Sequence, residues 1–333
     1  MKVFVTGVAG FLGSHLADNF IRSGYEVAGC DNMIGGDLQN LPEGIRFEEA
    51  DCCDVEAMKR LTKGTDIVYH CAAIATEGLS VFSPTLIAKH VYENTAGILA
   101  GAANNKVKRF VYCSSMARYG QGKPPFNERQ PAAPLDPYGI SKYAGELLVA
   151  NVAETHGFEY TIAIPHNIIG PRQKYDDAYR NVASIMVNRM LQGKQPVIYG
   201  DGEQSRCFSF VQDCVDPLVK MGTLPGLSGE TINIGPDTET VTINELARIL
   251  AELLGFRLEP IYVPGRPREV REATCSADKA RKLLNYEAKV SLRTGLQSMI
   301  DWVREHGTKP FTYHLPIEID SPLVPKTWTS RLI

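Results

Sequence analysis

Tyr138 and Lys142 stand four residues apart in PYGISKYAGELL, a Tyr-x-x-x-Lys spacing that places both side chains on one helical face. A free tyrosine titrates near pH ~10, so at neutrality it is a poor base. An ammonium one helical turn away favours the phenolate and can draw it toward working pH. The pair therefore offers proton abstraction from a hydroxyl. Its worth depends on its surroundings, because Tyr and Lys also meet on ordinary solvated helix faces.

Those surroundings begin at the first strand. Residues 2–6 (KVFVT) are β-branched and apolar, and they run into Gly7-Val-Ala-Gly10-Phe-Leu-Gly13 and the helical SHLADNFIRSG. Strand, glycine turn and helix together form a dinucleotide cradle. Glycines let backbone approach a pyrophosphate, and the helix N-terminus supplies free N–H groups and a favourable dipole. The second strand, YEVAGCD, ends in Asp31, where a carboxylate accepts from ribose hydroxyls and would repel a 2′-phosphate. Asn32 and Met33 offer no cation there, so NAD is expected over NADP.

A third strand precedes Asp51, and a fourth, TDIVYHCAAIA, is almost continuously apolar, as a buried parallel strand should be. Its small Ala72 and Ala73 would let backbone lie close to a cofactor, and His70 reads as a satisfied core histidine. A fifth strand, VYCSSM, finishes in Ser114 and Ser115, where ligands of doubly wound sheets gather. The fold class expected is α/β: a Rossmann-like doubly wound parallel sheet with a smaller C-terminal α/β substrate domain.

The chain has 333 residues, enough for two closely joined domains. Residues 1–165 are expected to bind NAD and residues 166–333 mainly the substrate, with some chain returning to the first domain. A net charge of −3 carries no polybasic signal, which excludes nucleic acid and anionic membrane as main partners. No apolar run is long enough to span a bilayer. MKVFVTGVAG starts as strand and turn, unlike a signal peptide, and the eight scattered cysteines show no CxxC or Cys/His metal spacing. A cytoplasmic location is the expectation.

Ser115, Tyr138 and Lys142 after a G-x-x-G-x-x-G turn resemble the extended short-chain dehydrogenase/reductase superfamily, in particular its nucleotide-sugar epimerase branch. The resemblance spans residues 1–305 or so and includes TGVAGFLGSHL, VYHCAA, SSMARYG, PYGISK, HNIIGP, YGDGEQSRCFSFVQD and GRPREV. It implies that Gly7, Gly10, Phe11, Leu12 and Gly13 cradle the NAD pyrophosphate. Asp31 and Asn32 would hold the adenosine ribose, and Asp51 and Cys52 would meet the adenine. Ala72, Ala73, Asn94 and Pro165 would line the nicotinamide half. Ser115, aligned by Tyr119 and Gly120 behind it, would be the catalytic hydroxyl beside Tyr138 and Lys142.

For the substrate the resemblance implies Asn167, Asn181 and Val182 around a nucleoside diphosphate, Tyr199 against the base, and Arg206 and Arg266 on the diphosphate. Guanidinium suits that task, being always charged and donating in a planar fork. The activity implied is C4 epimerisation of a UDP-hexose through a 4-keto sugar. Alternatives on the same scaffold are a UDP-glucuronate 4-epimerase, with Arg118 or Lys174 meeting the carboxylate, and a 4-ketoreductase. Met116 and Ala117 stand where dehydratases carry an Asp-Glu pair and where decarboxylases carry Glu, which disfavours both. Ala273, four positions after Glu269, falls at the family's gate position, and its small size predicts room for a 2-acetamido group. Ile164, Cys207 and Arg118 depart from the family pattern. A homodimer is implied, formed through two helices, one bearing the Tyr-Lys pair. Residues 308–333 are Pro-interrupted and extend past that pattern, either wrapping the fold or contacting a partner.

Overall fold

Apolar strands separated by amphipathic helices leave each strand two faces to cover, and the computed structural model, which describes residues 1–333, shows both covered. Seven strands form one parallel sheet: β1 (Lys2–Thr6), β2 (Glu26–Asp31), β3 (Arg46–Glu49), β4 (Ile67–His70), β5 (Arg109–Cys113), β6 (Glu159–Pro165) and β7 (Glu230–Ile234). Their spatial order is β7-β6-β5-β4-β1-β2-β3. Val3 pairs with Val27 of β2 on one side and with Ile67 of β4 on the other. The order reverses at β1, so a crevice opens beyond the carboxyl ends of β1 and β4.

Alternation along the strands feeds two cores. Val3, Val5, Tyr69 and Val111 pack with Leu16, Ala17 and Phe20 of α1 (Phe11–Arg22). They share that core with Val211, Cys214 and Leu218 of a later helix, Val211–Thr223. Phe4, Val68, Phe110 and Tyr112 pack instead with α2 (Val55–Leu61), α3 (Asn94–Asn104) and α4 (Pro137–His156). α4 begins at Asp136, whose carboxylate accepts from the Gly139 N–H at 2.9 Å, with Pro137 in its first turn. It ends at Gly157 in the left-handed conformation.

The second half builds its own core from α5 (Val182–Leu191), α6 (Ile243–Leu254) and α7 (Leu292–His306). A capping box between Thr242 and Glu245 starts α6. Its strands are short. Ser205–Cys207 lies between antiparallel Thr240–Thr242 and parallel Glu272–Ala273, and Val197–Tyr199 pairs with Ile261–Val263. β7 leaves this half and joins the edge of the large sheet on β6.

Residues 308–333 wrap the fold. The Glu318 N–H donates to the Phe82 carbonyl at 3.0 Å, and the Thr312 N–H to that of Asp176 at 2.7 Å. Leu315, Val324, Trp328 and Ile333 join a fourth apolar cluster with Leu79, Phe82, Tyr138 and Tyr179. No helix is long and apolar enough to cross a membrane.

Candidate active site

One cleft of about 430 Å³ runs from the glycine turn, across the carboxyl ends of β1 and β4, to the short strands of the second half. Gly7 has φ +69°, and a Cβ there would stand 2.8 Å from the Ala72 backbone nitrogen. A Cβ on Gly13 would overlap the Gly7 carbonyl oxygen. Only glycine lets this turn lie so close to the neighbouring strand end and leave a smooth floor. Asp31 is buried and accepts from the N–H groups of Met33 (2.9 Å) and Ala9 (3.2 Å). Burial raises its pKa against those bonds. Asp51 takes a hydrogen bond from Asn32 at 3.4 Å, and Asn94 donates to the Ala72 carbonyl at 3.1 Å. Phe11, Leu12, Cys52, Ala73 and Pro165 complete this end. A glycine floor, a carboxylate at the end of β2 and open backbone at Ala72 and Ala73 fit a dinucleotide.

At the middle stand Ser115, Tyr138 and Lys142. Ser115 follows β5 and accepts from the Ala117 N–H at 3.2 Å, which fixes the turn behind it. Lys142 donates to the Cys113 carbonyl at 2.7 Å. Burial lowers the Lys142 pKa to about 8. Burial also pushes the Tyr138 phenol well above its ordinary value, and the Glu77 carboxylate adds to that rise; hydrogen bonding with Ser115 opposes both. Burial and Glu77 thus outweigh, in the protein alone, the downward pull on Tyr138 that the Tyr-x-x-x-Lys spacing predicts. His70 is a satisfied core histidine, fully buried between the Thr6 (2.7 Å) and Thr95 (3.0 Å) hydroxyls. Its pKa is lowered to about 3, first by burial and then by Lys142.

The far end gathers Asn167, Asn181, Val182, Tyr199, Arg206 and Arg266. Asn167 has φ +42° and donates to the Cys207 carbonyl at 3.0 Å. Asn181 caps α5 through the Ala183 N–H at 2.9 Å. Arg266 lies over the Tyr199 ring, 4.8 Å from its centroid, and pairs with Glu269 at 2.8 Å. Arg206 is held by the Ser205 carbonyl at 2.8 Å and lies 3.9 Å from Glu269. Two guanidiniums converge here on the Glu269 carboxylate, and their planar donor forks suit a diphosphate.

The structure departs from two sequence-based expectations. Ala273 does not line the cleft: it is buried in the core with Tyr119, Phe126 and Cys275, because the strand Glu272–Ala273 turns it to the sheet side. Its size therefore supplies no room at the sugar. Arg118 is withdrawn too, buried in an ion pair with Glu146 at 2.7 Å and standing over the Tyr119 and Tyr143 rings. It is not free to meet a uronate. Lys174 lines the cleft, paired to Asp176 at 3.1 Å.

Sequence reasoning missed Glu77, Arg180, Trp328 and Ile333, all of which line the cleft. Glu77 opens to the water of the cleft while protein encloses it on most sides. That enclosure and the Asp136 carboxylate raise its pKa to about 7 against Arg206 and Arg266. Its place just beyond β4, at a strand's carboxyl end, was the available signal. Nothing in the sequence marks Trp328.

The family model for the NAD dependent epimerase/dehydratase family matches residues 3–235. A UDP-glucose 4-epimerase of Mycolicibacterium smegmatis is 30% identical over 312 residues, covering 91% of this chain and 99% of its own length. The crystal structure of a UDP-glucose 4-epimerase from Thermotoga maritima with UDP-glucose is 34% identical, with a TM-score of 0.87 over 92% of this chain and 99% of that one. A UDP-glucuronic acid 4-epimerase from Bacillus cereus, in complex with UDP-glucuronic acid and NAD, is 29% identical, with a TM-score of 0.86 over 92% of this chain and all of that one.

Proposed function

The chain belongs to the NAD dependent epimerase/dehydratase family, and on that premise we propose that it inverts C4 of a UDP-hexose, interconverting UDP-glucose and UDP-galactose. The observation that carries the reading is the meeting, in one cleft, of Ser115, Tyr138 and Lys142 with the glycine turn on one side and Arg206 and Arg266 on the other. NAD, when bound, supplies a reversible acceptor for the hydrogen that leaves C4. Gly7, Gly10, Phe11, Leu12, Gly13, Asp31, Asn32, Asp51, Cys52, Ala72, Ala73, Asn94 and Pro165 hold it in this reading.

Tyr138 takes the proton of the 4-hydroxyl and later returns it. Ser115 shares a hydrogen bond with that phenol and stabilises its charged form. Lys142 adds a buried cation to the same side. Arg206 and Arg266 grip the diphosphate, so the 4-keto sugar can turn about its linkage while the nucleotide stays fixed. Asn167, Asn181, Val182 and Tyr199 enclose the rest of the nucleotide. In the same reading residues 1–165 form the cofactor half and residues 166–333 mainly the substrate half. A homodimer forms through α3 and α4, supported by Ile140 and Leu147, which leave α4 54% and 57% exposed.

A neutral hexose is favoured over a uronate. A substrate carboxylate would share the cleft with Glu77, while Arg118 is held by Glu146 and Lys174 pairs with Asp176. Met116 and Ala117 lie outside the cleft lining and bear no acid, which disfavours dehydration and decarboxylation. The test is absorbance of the nicotinamide during incubation of purified protein with UDP-glucose, with products separated by anion exchange. Conversion without net cofactor turnover supports epimerisation. Stoichiometric build-up of reduced cofactor with a released 4-keto sugar would make the protein a one-way redox enzyme, the reverse of a 4-ketoreductase.

A further inference from the structure

Trp328 lies in the segment 308–333, outside the expected machinery, yet it lines the cleft. The relatives reported above are covered over nearly their whole length and still account for only 91–92% of this chain. The indole is 4% exposed, and its N–H is buried with no hydrogen-bond partner. A buried donor without an acceptor is costly, and native proteins rarely leave one so.

This ring stands close to Arg266, one of the residues assigned to the diphosphate. A Cβ on Gly78, beside Glu77, would meet the Trp328 ring at 3.4 Å and an Arg266 guanidinium nitrogen at 3.1 Å, so ring and cation converge on the same short loop. Thr327 shares a 2.5 Å hydrogen bond with the Tyr199 hydroxyl, and Arg266 lies over that Tyr199 ring. Phe82 and Tyr179 pack edge-on against the indole at 6.3 and 5.3 Å, fixing its plane. Tyr138 belongs to the same apolar cluster. The segment is tied down on both sides of the ring, through Glu318 to the Thr85 and Leu86 N–H groups (3.0 and 2.8 Å) and through the Leu332 carbonyl to Arg189 (3.2 Å).

We infer that residues 308–333 form a fixed wall of the substrate site and that the Trp328 indole N–H donates to an oxygen of the bound nucleotide sugar, on its sugar–diphosphate side. This rests on the nucleotide-sugar reading above. An indole donates and cannot accept, whereas the Glu77 carboxylate in the same cleft lining accepts. Donor and acceptor across one pocket suit the hydroxyl-bearing face of a neutral hexose, each hydroxyl being able to do both.

Trp328→Phe keeps the ring and removes only the N–H. The expected result is a rise of about tenfold in KM for UDP-glucose, the size of one buried hydrogen bond, with kcat and the Kd for UDP changed less than about twofold. Because the chain has two tryptophans, Trp302→Phe leaves Trp328 as the sole indole emitter. In that protein UDP-glucose is expected to shift the emission further than UDP does. Unchanged KM in a folded Trp328→Phe protein, or emission that responds to UDP and UDP-glucose alike, overturns the inference and leaves epimerisation standing. A wild-type protein that converts no UDP-hexose overturns the epimerase reading and this inference with it.

Discussion

The cofactor end and the sugar end of the cleft are built in opposite ways. Residues assigned to NAD, and the catalytic Ser115 beside them, sit at the carboxyl ends of parallel strands: Gly7 after β1, Asp31 at the end of β2, Ala72 after β4, Ser115 after β5. Once the sheet order forms, their positions follow. The sugar end draws Glu77, Asn181, Arg206, Arg266 and Trp328 from five separate segments, joined by strands of two or three residues and by side-chain contacts. Regular elements position the residues assigned to the cofactor, and mostly tertiary contacts gather those assigned to the substrate. Substitutions at the first end should therefore disturb folding and cofactor together, whereas those at the second should act on substrate without moving the fold.

Tyr138→Phe belongs to both ends and should have the largest effect, a fall in kcat of about 10²–10⁴-fold with UDP binding retained. Gly13→Val tests the cofactor end. Its side chain cannot fit against the Gly7 carbonyl, so NAD binding in a calorimeter should be lost and stability should fall by about 1–3 kcal/mol, read as a lower Tm. Arg206→Ala tests the far end by losing a charge-assisted grip of about 1.5–3 kcal/mol, seen as a tenfold or greater rise in KM at an unchanged Tm. A large drop in Tm there would erase the contrast between the two ends.

Glu77→Gln probes the coupling between them. Above pH ~7 the Glu77 carboxylate is charged and opposes ionisation of Tyr138. Removing that charge should lower the pH at which Tyr138 loses its proton, so the acid limb of kcat/KM against pH moves to lower pH. A limb that stays put or moves to higher pH would separate Glu77 from the phenol. Ala273→Val should do least to specificity. The side chain faces the core, so the ratio of UDP-N-acetylglucosamine to UDP-glucose turnover should change less than about twofold while stability falls.

The same contrast explains what was legible in the sequence. The doubly wound sheet, the glycine turn, Asp31, Ser115 and the Tyr138–Lys142 pair follow from period, breakers and strand ends. So do α6 and α7, whose apolar residues recur at helical spacing and close the core of the second half. Arg206 and Arg266 were reachable only through motif resemblance, and the same resemblance misplaced Ala273, because counting along the chain does not reveal which way a two-residue strand faces. Arg118 looked available until Glu146, from the helix bearing Tyr138, was found to claim it. Trp328 reaches the cleft through a long irregular segment with no periodicity to mark its inward face.

The most direct test is comparative turnover of UDP-glucose, UDP-N-acetylglucosamine and UDP-glucuronate by the wild-type protein and Tyr138→Phe, with each C4 epimer resolved chromatographically. The expected result is conversion of UDP-glucose to UDP-galactose by the wild type, little with the glucuronate, and near-complete loss in the variant. Preferred turnover of the glucuronate, or a Tyr138→Phe protein as fast as the wild type, would contradict the account.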